Sequence, residues 1–198
     1  MTVLFAAGAG GDPESYRPLL DLIAGNGHRV VAPRFERLTS PEPPIDELLT
    51  CPAGLVAALA DVAADDEVVG IGHSIGAWAL LCLAGATPFG VARVPREPRI
   101  GRLVLFAPAA GWFGAPGALD AVTAPMLVFA GERDTVTPPA QALHLQSAPA
   151  SVDVQVIPGA GHFSFMHTLP PGIAEEPGLD RHLVLDEVGR RTVDFLAG

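Results

Sequence analysis

Lysine is missing altogether: the 12 basic residues among the 198 are all arginines. That excludes a P-loop lysine, a Schiff-base lysine and a serine/lysine dyad, so a serine nucleophile in this chain has to rely on histidine. Charge is scarce too, at 17% of residues against 49% hydrophobic, a balance that suits a buried core and not disorder. The net charge of −10 sets up a field that repels nucleic acid and anionic membranes, and neither is expected as a partner. No apolar run approaches the roughly 20 residues of a membrane span. Residues 1–5 are apolar, but the run is short and no positive charge precedes it, which argues against a secretory signal. There are only two cysteines, Cys51 and Cys82, both in stretches that read as helix. They look like packed thiols in a reducing compartment, so the expected location is the cytoplasm.

The length suits one α/β domain spanning residues 1–198. Short runs rich in Val, Leu, Ile and Phe recur at residues 2–6, 29–32, 67–71, 102–107, 126–130 and 152–157. Each is followed by a turn signal, and helical segments are expected at about 14–24, 45–64, 75–86, 138–147 and 182–196. This pattern predicts a doubly wound, mostly parallel sheet of six strands, each buried on both faces. Right-handed crossovers then place the loops at 7–13, 33–44, 72–76, 107–124, 131–137 and 158–181 on one edge, where ligands bind. The Pro- and Arg-rich stretch at 87–99 returns to the opposite edge, so its arginines are expected as solvated surface.

One segment carries chemistry. The strand ending at Ile71 runs into Gly72-His73-Ser74-Ile75-Gly76 and then a helix that is apolar nearly all round. With 22 glycines in the chain the bare GxSxG spacing has little weight; the flanking strand and helix make it a nucleophile elbow, which holds Ser74 exposed above the sheet. An alcohol needs a base within hydrogen-bond reach. His28 precedes a strand and lies on the wrong edge, His144 and His182 fall in outer helices, and His73 points along the elbow as a packed or supporting residue. His167 sits deeper in an irregular segment. His162, after the flexible Pro158-Gly159-Ala160-Gly161, is the expected general base. Asp134, just past the fifth strand, is expected to orient its imidazole, with Glu132 as the lesser alternative. The chain order Ser74, Asp134, His162 leaves room for one strand and one helix between the last two.

Two amides are expected to form an oxyanion hole: that of Ile75, next to the nucleophile, and that of Ala9, with Gly10 as the alternative, in the small-residue run after the first strand. The same run is not a dinucleotide fingerprint, because Pro13 stands where GxGxxG from Gly8 would need glycine. No cofactor and no metal are expected. Phe35, Trp112, Phe113, Phe163 and Phe165 are apolar residues on the functional-edge loops and are the expected lining of a substrate pocket. The 107–124 loop is too short for a large cap domain.

On these motifs the chain resembles the α/β-hydrolases over nearly its whole length, starting at what would be the third strand of the standard eight. Its closing stretch, Gly161-His162-Phe163-Ser164-Phe165-Met166 and then Gly178-Leu179-Asp180-Arg181-His182, is similar to predicted dienelactone hydrolases and acetylhydrolase-like serine esterases. The best-known dienelactone hydrolases use cysteine where Ser74 stands here, and many esterases carry His-Gly where this chain has Ala7-Gly8. The resemblance implies an α/β-hydrolase fold and hydrolysis of a small or medium, partly apolar ester through an acyl-enzyme. A thioesterase using the same triad, or a noncatalytic ligand-binding relative, are the alternatives. The oligomeric state is not legible.

Overall fold

The computed structural model describes residues 1–40, 43–91 and 94–198. Residues 41–42, in the loop after the second strand, and 92–93, in the Pro- and Arg-rich return segment, lie outside the described residues. The strands are β1 (Thr2–Ala6), β2 (Arg29–Val31), β3 (Val68–His73), β4 (Ile100–Phe106), β5 (Met126–Gly131) and β6 (Val152–Ile157). The helices are α1 (Arg17–Gly25), α2 (Ile45–Ala58), α3 (Ile75–Leu83), α4 (Pro139–His144) and α5 (Arg181–Ala197). All strand pairs are parallel, in the order β2-β1-β3-β4-β5-β6. This is the α/β-hydrolase fold: one six-stranded sheet flanked by helices, with no large cap among the described residues.

Every residue of β1, β3 and β5 is buried, as their unbroken apolar runs require of strands with helices on both faces. The edge strands depart from the expectation. β2 and β6 are only partly buried because each has a strand neighbour on one side alone, and β6 carries Asp153 and Gln155.

One hydrophobic cluster packs α2, α3 and α4 against a face of the sheet, and a second packs α1 and α5 against the other. α3 is buried along its length from Gly76 to Leu83, and Cys51 and Cys82 are free thiols in the first cluster. Burial pushes the Cys51 thiol up to about 12, and the Cys82 thiol is raised as well, first by burial and then by its neighbour Cys51. Both stay protonated and inert.

Helix ends were less legible than helix positions. α3 stops at Leu83, short of the expected 86, where Gly85 adopts φ +115°; its N–H bonds to Cys82 O and that of Ala86 to Leu81 O, the paired bonds of a glycine-terminated helix. α2 ends at Ala58 instead of 64, and the carbonyls of Leu59, Val62 and Ala63 just beyond it accept from the Arg99 guanidinium. Arg99 is therefore not solvated surface. It is held by Glu97 at 2.8 Å, on the edge away from the candidate site. The crossover between β4 and β5 contains only the 3-10 turn Ala110–Phe113 and irregular bends. Among the described residues no helix is long and apolar enough to cross a membrane.

Candidate active site

The turn between β3 and α3 is as tight as the glycine pattern implies. Ser74 sits at φ 55°, ψ −119°, a region that costs a non-glycine residue about 1–3 kcal/mol. A Cβ on Gly76 would come within 2.2 Å of the Ala6 carbonyl oxygen, and one on Gly72 within 2.9 Å of the Ala77 nitrogen. The strained residue is pinned on both sides. Its N–H donates to Phe106 O at 3.0 Å, and its carbonyl accepts from Trp78 N at 3.1 Å and Ala109 N at 3.2 Å.

β5 and β6 bring the other two residues over the same edge. Asp134 lies in the turn after β5, and His162 opens the short 3-10 helix His162–Phe165 after β6. His162 Nδ1 lies 2.8 Å from Asp134 Oδ2, and its Nε2 lies 3.0 Å from Ser74 Oγ. Asp134 is buried, and its other lone pairs are taken: Oδ1 accepts from the Val136 and Thr137 amides, both at 2.8 Å, and Oδ2 lies 2.8 Å from the Thr137 hydroxyl. Burial alone would raise this carboxyl's pKa, but the bonds from His162 and Thr137 outweigh it and hold the group below the usual carboxylate range. An ionised Asp134 accepts a hydrogen bond from His162 Nδ1–H and so keeps that proton on Nδ1, which leaves Nε2 free to accept from the Ser74 hydroxyl. Glu132, the lesser alternative, instead accepts the Gly159 amide at 2.9 Å.

Beside Ser74 the run after β1 folds into a turn closed by Gly11 N–H to Gly8 O at 2.9 Å, with Ala9 and Gly10 exposed at its tip. A Cβ on Gly8 would reach 3.0 Å from His73 Nδ1 and 3.5 Å from Ser74 Cβ, so only glycine lets the turn lie this close. The turn is braced from outside, because Leu38 N–H donates to Ala9 O at 2.9 Å and Phe35 N–H to Gly11 O at 3.0 Å. Ile75 is the first residue of α3, and the first helical bond runs from Trp78 to Ser74, so the Ile75 amide has no acceptor within its helix. The Ile75 amide is thus left without a helical acceptor next to Ser74, and the turn that carries Ala9 and Gly10 starts at Gly8, beside the serine.

The expected pocket residues divide. Phe163 stands edge-on to the His162 ring at 5.0 Å. Phe35 is half-buried, with its ring over Gly54 of α2. Trp112 lies 6.4 Å from Trp78 on the flank of α3. Phe113 and Phe165 are core residues with essentially no surface to offer a substrate; Phe165 stacks near Phe106, and Phe113 belongs to the cluster around α3. Position on a functional-edge loop did not predict this, because the same loops also close the core.

Two contributors, Thr137 and Tyr16, escaped the sequence reading, and a third, His73, was read without its partners. Thr137 sits between Asp134 Oδ2, His162 Nδ1 at 3.1 Å and Ala107 O at 3.0 Å. His73, seen only as packed or supporting, lies with Nδ1 2.8 Å from the Tyr16 hydroxyl and Nε2 3.0 Å from the His162 carbonyl oxygen. Tyr16 is the chain's single tyrosine, and no spacing rule ties it to His73. His167 has its backbone N–H on Ser15 O at 2.9 Å. It lines a groove of about 500 Å³ between α1 and α5 that contains neither Ser74, Asp134 nor His162. Among the described residues no group of three or more His, Cys, Asp or Glu side chains is placed to hold a metal ion.

A strained serine at a strand-to-helix turn, a histidine and an aspartate on later loops, and a parallel sheet beneath them define a class. Residues 3–123 match the model of the alpha/beta hydrolase family, a segment that holds Ser74 and ends before Asp134. The chain belongs to that family. Solved structures similar to it include a predicted CIB-like hydrolase from Thermoplasma acidophilum, at 16% identity and TM-score 0.68, covering 98% of this chain and 85% of that one. A propionate-bound esterase from Thermogutta terrifontis shares 18% identity with TM-score 0.70 over 99% of this chain and 82% of its own. The monoacylglycerol lipase of Paleococcus ferrophilus shares 16% identity with TM-score 0.67, over 98% and 93%. At such identities these likenesses concern the fold. No curated protein matches the chain.

Proposed function

We propose that the protein is a serine hydrolase that cleaves carboxylic esters through an acyl-enzyme. The observation that carries this is the continuous line of hydrogen bonds from Asp134 through His162 to the Ser74 hydroxyl, at 2.8 and 3.0 Å. Ser74 Oγ attacks the ester carbonyl carbon as its proton passes to His162 Nε2, and Asp134 stabilises the imidazolium that results. The carbonyl oxygen becomes an oxyanion facing the amides of Ile75 and Ala9. Collapse of this intermediate expels the alcohol, which takes the proton from His162. Water repeats the sequence on the acyl-enzyme, releasing the acid and restoring Ser74.

The substrate we infer is small or medium and partly apolar. Phe163 beside the base and Val136, 58% exposed in the loop that carries Asp134, offer apolar contacts, and the short β4–β5 crossover leaves the edge open. Two proteins of similar structure, an esterase and a monoacylglycerol lipase, support ester chemistry. The buried free thiols support a reducing, cytoplasmic setting. Assay with p-nitrophenyl esters of short and medium chain tests the reading, with acyl-CoA and lactone arms to register the thioesterase and dienelactone alternatives. Turnover of the esters, together with fluorophosphonate labelling that disappears in Ser74→Ala, is expected. An unlabelled wild-type protein would instead indicate a noncatalytic relative.

A further inference from the structure

The ring of His73 is 2% exposed and is the meeting point of three segments far apart in the chain. Its Nε2 faces a carbonyl oxygen, that of His162, and so must carry the proton; Nδ1 is then an acceptor, and the Tyr16 hydroxyl donates to it. Tyr16 is fixed in turn by burial and by the Phe5 ring at 4.8 Å, and the Gly8 amide lies beside its oxygen. The short helix Pro13–Tyr16 also ties down the far end of the histidine loop, since Ser15 O accepts from His167 N–H at 2.9 Å and Thr168 N–H at 3.0 Å. Beside the same Nδ1 lies Gly8, the start of the turn that carries Ala9.

We propose that Tyr16 and His73 are positioning residues that place the general base by holding the backbone carbonyl of His162, so that nucleophile and base are both referenced to the dipeptide His73-Ser74. Asp134 fixes one end of the His162 imidazole, but a ring hydrogen-bonded at Nδ1 alone can swing its Nε2 away from Ser74 if the backbone beneath it drifts. The His73 bond at 3.0 Å removes that freedom. Tyr16 sets the tautomer: by donating to Nδ1 it keeps the His73 proton on Nε2, where the carbonyl needs it. The same ring has to stay uncharged, because its centroid lies 4.9 Å from that of His162, and a cation there would oppose the imidazolium that forms in the reaction. Burial first, and His162 second, lower the His73 pKa to about 3, which keeps it neutral.

This inference rests on the serine-hydrolase reading, and its test separates the two. Steady-state kcat and KM on a p-nitrophenyl ester, and the rate of fluorophosphonate labelling, are measured for wild type, Tyr16→Phe, His73→Leu and His73→Gln. Misplacing a reacting group by about 1 Å costs on the order of a hundredfold. His73→Leu is therefore expected to lower kcat and the labelling rate about a hundredfold and Tyr16→Phe about tenfold, with KM unchanged within about twofold. His73→Gln, whose amide N–H reaches where Nε2–H stood, is expected to recover most of the loss. If His73→Leu does not fold, Tyr16→Phe and His73→Gln decide. Wild-type kinetics in Tyr16→Phe, or in His73→Gln kinetics no better than those of His73→Leu, overturn the inference; a loss expressed in KM alone does so too. A wild-type protein that neither turns over nor labels overturns the parent reading instead.

Discussion

The two edges of this sheet each hold a buried carboxylate paired with a base, the base half-buried at one edge and buried at the other, and the pairs do opposite things. At the N-terminal edge, Glu97 and Arg99 close on each other through bonds of 2.8 and 2.9 Å; the third guanidinium nitrogen caps carbonyls beyond α2, and the Glu97 amide donates to Leu83 O at the end of α3. Every nitrogen of that cation is spent, and its charge is permanent. The Arg99 bonds hold the Glu97 carboxyl below its ordinary range. At the C-terminal edge, Asp134 is satisfied as completely, but its partner is an imidazole with one nitrogen left over, and that nitrogen faces an alcohol. A buried pair locks structure when both members are saturated. It is poised for chemistry when one retains a titratable lone pair aimed at a reactant.

The comparison can be pressed at both edges. The largest effect is expected from Asp134→Asn, which keeps the shape but allows the wrong His162 tautomer: kcat should fall on the order of 10⁴-fold with little change in thermal midpoint. Arg99→Met leaves the Glu97 carboxylate without its cation at a partly buried site and should cost about 2 kcal/mol in urea unfolding, while kcat per folded molecule stays unchanged. A large loss of kcat there would dissolve the contrast between the edges.

Acid should unfasten the edges in sequence. His73 is protonated in the unfolded chain below about 6.5 but not in the folded one until about 3. The unfolded state binds the extra proton across that window, so stability falls as pH drops, by about 1 kcal/mol per unit, and His73→Gln should flatten the slope. Glu97 carries a lowered pKa. Its contribution is full above the unfolded carboxylate value near 4.5 and is lost as pH falls below it, so Glu97→Gln should change the acid limb only there. Smallest of all, Ser74→Gly should be more stable than Ser74→Ala by about 1 kcal/mol, since glycine accepts φ 55° without strain.

The parallel sheet, its six strands and the positions of Ser74, Asp134 and His162 were readable because each depends on local pattern: an apolar run, a turn, then a side chain at the carboxyl end of a strand. What failed was whatever depends on neighbours remote in sequence. Phe113 and Phe165 read as pocket residues because burial is decided by α3 and by Phe106, not by their own loops. Arg99 read as surface because its acceptors lie 36 to 40 residues away. The Tyr16–His73 bond spans 57 residues and leaves no periodic trace. Thr137 was within reach of sequence reasoning, three residues after Asp134, where a carboxylate commonly gathers the amides and hydroxyl of its own turn.

The three-residue strand β2 leads into the segment whose Phe35 and Leu38 amides brace the Gly8–Gly11 turn. Partly exposed and paired on one side only, that strand belongs to the portion of a fold that breathes first on warming. Catalysis should therefore fade at a temperature below the main calorimetric transition, recover fully on cooling, and trace the fraying of a peripheral ribbon while the interior remains intact.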